Sequence, residues 1–76
     1  MSPTLRQIKA KQLIAVALKI GFEFDRQSGS HAVYYHKSNK RRIVVPVHPG
    51  KEIKLKTLLG IMKDMGLEPD EFLKLL

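Results

Sequence analysis

One histidine in this chain stands where proton chemistry is feasible. His31 follows the turn-forming triplet Ser28-Gly29-Ser30 and opens the run Ala32-Val33-Tyr34-Tyr35. An imidazole ordinarily titrates near ~6.5, so it can give and take protons at neutral pH. Gly29 has no Cβ and lets a substrate approach the backbone closely. Metal-free cleavage of an RNA phosphodiester needs a base for the 2′-hydroxyl, an acid for the leaving oxygen and cations for the phosphorane. A histidine at the lip of a turn can supply one of the two proton transfers. By itself, though, a histidine at a strand start is more often an ordinary half-buried surface residue, and His36 and His48 read the same way. His31 and His36 are five residues apart and fall on opposite faces of a strand, which argues against a shared metal.

The segment Val45-Pro46-Val47-His48-Pro49-Gly50-Lys51-Glu52-Ile53-Lys54 leads into a helical pattern. Its amides and lysines could hold a phosphate at the helix start. Read alone it is a strand-to-helix loop shaped by two prolines. There is no Walker motif, no serine–histidine–acid order and no carboxylate cluster suited to magnesium. Two-metal nuclease chemistry, which wants clustered acids, is therefore not expected, and neither a metal nor a cofactor is expected.

Charge is compatible with a polyanionic partner and equally with a solvated basic surface that has none. The 76 residues carry a net +7, and residues 26–56 alone hold Arg26, Lys37, Lys40, Arg41, Arg42, Lys51, Lys54 and Lys56 against Glu52. The first 25 residues balance at +2 and the last 20 at −2. Clustered positive charge attracts nucleic acid through its long-range field and counterion release. An acidic protein would be drawn to the same patch, so a regulatory protein docking such a partner stays open. A chain this short forms one domain, residues 1–76, and buries only about 60–65% of its unfolded surface. It has no cysteine, so disulfides and thiolate metal sites are excluded. No apolar run reaches the roughly 20 residues of a membrane helix, and no signal-like segment opens the chain. A soluble cytoplasmic protein is expected.

The elements that must position His31 follow from periodicity. Leu13, Ile14, Ala17, Leu18 and Ile20 recur at three- and four-residue spacing, predicting a helix over 11–20 that ends at Gly21. Residues before about Lys9 read as a loose tail. Phe22, Phe24 and Arg26 alternate with Glu23, Asp25 and Gln27 as a half-buried strand. His31–His36 is a second strand, rich in aromatic and β-branched residues, whose core face the pattern does not identify. Lys37–Lys40 is a turn, and Arg41–Val47 a third strand. Leu55, Leu58, Leu59, Ile61, Met62 and Met65 predict a second amphipathic helix ending at Gly66. Pro69-Asp70-Glu71 starts a short third helix. The fold class is a two-layer α+β domain, with a three-stranded antiparallel sheet covered on one face by helices. Phe22, Phe24, Ile43, Val45, Leu13 and Met62 are its predicted core.

An ordered set of motifs then resembles a known family. Gly21-Phe22, Arg26-Gln27, Gly29-Ser30-His31, Val45–Lys54, Thr57-Leu58 and Glu71-Phe72-Leu73 fall in the order and spacing of the HicA toxins. These are small mRNA interferases of type II toxin–antitoxin systems. The resemblance runs from about Lys11 to Leu76. It implies a fold like the double-stranded RNA-binding domain, α-β-β-β-α, and ribosome-independent cleavage of mRNA with His31 as the catalytic residue. It also implies a cognate HicB-family antitoxin that covers the site. Two positions depart from the family: Ala32 stands where many members have a second histidine, and Leu55-Lys56 where many have Pro-Gly.

Charge and position nominate Arg41, Arg42, Lys51, Lys54 and Lys56 as phosphate-binding residues, with Gly29 and Ser30 contributing to RNA binding at the turn. For the second proton transfer Tyr34, Tyr35, His36 and the lysines are all open. The competing reading is a non-catalytic RNA-binding module, since duplex RNA is recognised by shape without a reactive histidine.

Overall fold

The strand that begins with His31 is the centre of the sheet. In the computed structural model, which describes residues 5–76, β1 (Glu23–Ser28), β2 (His31–His36) and β3 (Arg41–Pro46) form an antiparallel meander in the order β1-β2-β3. Helix α1 (Ala10–Lys19) precedes the sheet; α2 (Leu55–Met65) and α3 (Pro69–Leu75) follow it. This is the expected α-β-β-β-α layout with a short C-terminal helix. Among the described residues no helix is long and apolar enough to cross a membrane.

Pairing settles which sheet face is which. Ala32 lies opposite Val45 and Tyr34 opposite Ile43, and all four are buried in the main core cluster. The helices cover this face. His31, Val33 and Tyr35 therefore occupy the other face, with Arg42 and Val44 beside them, because strand neighbours alternate. Val33 is buried yet lies outside the main core cluster. It is flanked by Arg26 of β1 and Val44 of β3.

Both β-turns depend on local chemistry. Ser28 pairs with His31, so Gly29 and Ser30 form a two-residue hairpin loop. Gly29 has φ +57 while Ser30 stays at negative φ, the sign pattern of a II′ turn, which favours glycine first. The longer loop 37–40 is closed by Lys40 N–H donating to the His36 carbonyl at 2.9 Å. In addition, Asn39 Oδ1 accepts from Arg41 N–H at 2.9 Å.

Two sequence expectations need correction in the core. Phe24 is 57% exposed. It lies on the helix side opposite Tyr34, but the helices pack over β3 rather than over the β1 edge, so only an edge-on contact with Tyr34 at 5.6 Å covers it. A bulge between Phe24 and Arg26 also breaks the expected alternation, sending Arg26 to the open side opposite Val33. Leu18 is 52% exposed, and Val16 takes its place in the stripe Ala10, Leu13, Val16, Ala17. Val16 follows Leu13 by three residues, whereas Leu18 follows by five and is turned well off that face.

The predicted tail is the third correction. Residues 1–4 lie outside the described part, but Leu5–Gln7 form a 3₁₀ turn and Ile8 is completely buried. Ile8 accepts a hydrogen bond from Ile53 N–H at 2.7 Å, next to a bridge between Lys9 and Glu52. The N-terminal segment thus clamps the loop before α2. At the start of α1 the missing Ser or Asp cap is replaced by Gln12, whose Oε1 accepts from Lys9 N–H at 2.9 Å.

Candidate active site

A cavity of about 510 Å³ opens beside β3, lined by His31, Val44, Pro46, His48, Lys51, Glu52, Ile53, Lys54 and Thr57. Its sheet wall comes from the open face: the first residue of β2 and the end of β3. Its other wall is the 47–54 loop and the first turn of α2. The two walls are tied together by backbone. Val47 N–H donates to the Ser30 carbonyl at 2.6 Å, and Lys51 N–H closes a turn onto the His48 carbonyl at 3.0 Å. Buried Ile53 anchors the loop in the core.

His31 is exposed, and among the described residues no hydrogen bond engages its ring. His36 differs completely. Its Nδ1 accepts from Asn39 N–H at 3.3 Å, and its Nε2 lies 2.8 Å from the Ile20 carbonyl. A carbonyl only accepts, so Nε2 carries the proton and the neutral ring is fully used. His36 also packs edge-on against Phe22 at 5.1 Å. It is a structural pin between α1 and the sheet, on the face away from the cavity.

The positive charge that is continuous in sequence divides in space. Arg26 pairs with Asp25 at 2.9 Å, and Lys37 with Glu23 at 3.8 Å. Arg41 points to the helix layer, donating from Nη1 to the carbonyls of Asp64 at 3.3 Å and Lys63 at 3.5 Å. It therefore serves the C-terminal end of α2, where cations are favoured, and not the cavity. Arg42 lies on the open face with its guanidinium 5.5 Å from the Tyr35 ring centre. Lys51 and Lys54 line the cavity, whereas Lys56 is exposed on α2 outside it. Gly29 and Ser30 shape the turn without lining the cavity.

Helix α2 begins beside this space. Its N-cap, Lys54, makes no side-chain capping bond, so the first-turn amides keep donors for an anion. The sole carboxylate on the lining is Glu52. Among the described residues, no three His, Asp or Glu side chains gather as a metal-binding group.

Sequence reasoning nominated His31, Lys51 and Lys54, and the fold brings these three together. It passed over His48, Thr57, Glu52, Val44 and Pro46. His48 comes to the start of β2 through pairing register: His31 lies opposite Pro46, and the chain runs on past it with Val47 still bonded to the Ser30 carbonyl, a long-range relation that no local motif announces.

Over residues 10–67 the chain matches the family model of the HicA toxin of bacterial toxin–antitoxin systems. The chain belongs to the HicA toxin family. The match spans α1, the sheet and α2, so it includes every residue that lines the cavity; α3 lies beyond it. As a HicA-family toxin, the protein is one half of a toxin–antitoxin pair. A comparison with curated proteins gives no match.

Proposed function

We propose that this HicA-family toxin is an endoribonuclease that cleaves mRNA in the cytoplasm without a metal ion, with His31 moving a proton at the scissile phosphate. The observation that carries this reading is the shared cavity of His31, Lys51 and Lys54 at the uncapped start of α2. An unengaged imidazole can act on the 2′-hydroxyl or on the leaving 5′-oxygen. The lysines and the α2 amides supply positive charge where the phosphorane develops. Arg42 and Lys56, outside the cavity, hold the flanking strand by its phosphates. Ser30 and Gly29 act through the backbone, by fixing where His31 begins. A HicB-family antitoxin neutralises the toxin by covering the cavity mouth, its acidic groups matching the lysines.

Induction in cells tests this. The wild-type chain arrests growth and degrades mRNA, the His31→Ala variant does neither, and co-expression of the antitoxin from the neighbouring reading frame restores growth. Equal arrest and equal RNA loss with His31→Ala would remove His31 from the chemistry. Arrest without RNA loss in the wild type would favour the non-catalytic RNA-binding module.

A further inference from the structure

Resting on the ribonuclease reading, the geometry points to a second proton-transfer group in the same cavity, His48. Cleavage by the ribose 2′-oxygen needs two proton movements, and one imidazole supplies one of them in each step. Among the other imidazole and phenol side chains, placement decides. Tyr34 is buried in the core and His36 is held by Ile20 and Asn39. Tyr35 lies on the open face under Arg42 and outside the cavity lining. His48 is exposed, lines the cavity with His31, and makes no side-chain hydrogen bond among the described residues.

The chemistry favours it over the remaining lining groups. A carboxylic acid titrating near ~4.3 is a poor acid at neutral pH, and an ammonium near ~10.4 a poor base. An imidazole does either task. Two imidazoles complete the step. One accepts the 2′-hydroxyl proton as that oxygen bonds to phosphorus. The phosphorus–5′-oxygen bond breaks, and the other, protonated imidazole gives its proton to the leaving oxygen. The products are a 2′,3′-cyclic phosphate and a 5′-hydroxyl, and the rings then exchange protons with water. The backbone supports this pairing. Val47 N–H to Ser30 O, at 2.6 Å, joins the residue before His48 to the residue before His31.

The test uses an RNA oligonucleotide that the wild-type protein cuts, and the same oligonucleotide with sulfur replacing the bridging 5′-oxygen at the cut linkage. A thiolate leaves without protonation, so the sulfur substrate bypasses the acid and still requires the base. His48→Gln and His31→Gln are compared on both, with thermal melting to confirm folding. His48→Gln is expected to slow cleavage of the normal RNA by about 100-fold. One of the two variants then recovers to within tenfold of wild type on the sulfur substrate, and the other stays slow. His48→Gln cutting normal RNA at the wild-type rate would overturn the inference while leaving the ribonuclease reading intact. Recovery of both variants, or of neither, would overturn it too. A wild-type protein that cuts no RNA would instead bring down the ribonuclease reading, and this inference with it.

Discussion

Val47 donates its backbone N–H to the Ser30 carbonyl at 2.6 Å. That bond is the joint of the candidate site, because each partner immediately precedes a histidine of the cavity lining. The bond ties the hairpin that starts β2 to the loop that follows β3.

The turn on one side of that joint is predicted to need Gly29. Its φ of +57 carries no steric contact, since a Cβ there would meet nothing within 4 Å. Only the backbone conformation resists substitution, at about 1–2 kcal/mol for a residue such as alanine. Gly29→Ala should lower the urea-unfolding free energy by roughly that amount, and Gly29→Asn by less, because asparagine tolerates the left-handed region. Equal loss for both would show that the turn is not limited by φ.

Gly21 is constrained in the opposite way. Its φ is +103, and an added Cβ would sit 2.6 Å from His36 Nε2. Gly21→Ala must therefore displace the imidazole from the Ile20 carbonyl as well as strain the backbone. A loss on the order of 2–3 kcal/mol is expected, combining backbone strain with loss of the part-buried bond to the Ile20 carbonyl. His36→Ala should cost about 1–3 kcal/mol for the orphaned groups. The folded fraction of His36→Ala should still cut RNA, as measured by cleavage below its melting temperature.

Arginine and lysine roles separate by salt dependence. Each phosphate contact on single-stranded RNA adds about 0.7 to the slope of log affinity against log salt. Lys51→Ala and Lys54→Ala should each flatten that slope by about this amount and leave thermal stability nearly unchanged. Arg41→Ala should do the reverse. It loses the contacts to the Lys63 and Asp64 carbonyls, lowering stability by about 0.5–1.5 kcal/mol with the slope unaltered. Filter binding across salt concentrations, paired with thermal melts, reads both.

The N-terminal clamp gives a prediction that reaches the cavity from behind. Ile8 is fully buried and its carbonyl holds Ile53. Ile8→Ala should cost about 2–4 kcal/mol in urea unfolding, the range for buried large-to-small changes. A cost below 1 kcal/mol would show that residues 5–8 do not belong to the core.

Much of this architecture was legible in the residues. His31–His36 was bounded correctly because turn residues flank an aromatic and β-branched run, and α2 ended at Gly66 because a glycine follows its last apolar position. The misreadings have physical causes. Phe24 looked buried because alternation says nothing about which strand lies under a helix. Ile8 looked loose because its partner, Ile53, is 45 residues away. Arg41 was grouped with the phosphate ligands because charge adjacency ignores the face on which each side chain falls. His48 was overlooked because only the fold returns it to His31. The contribution of His31 itself rested on its place in the Gly-Ser-His motif more than on any local pattern.

Purified protein, RNA and a chelator in excess decide whether His31 cuts RNA without a metal. Wild-type protein is predicted to cut RNA at an unchanged rate in EDTA. His31→Ala, folded and binding RNA with wild-type affinity, is predicted to cut at least ~100-fold more slowly, the scale of one proton-transfer group. Cleavage by His31→Ala at the wild-type rate would remove His31 from the chemistry, and loss of wild-type cleavage in EDTA would rule out metal-free cleavage.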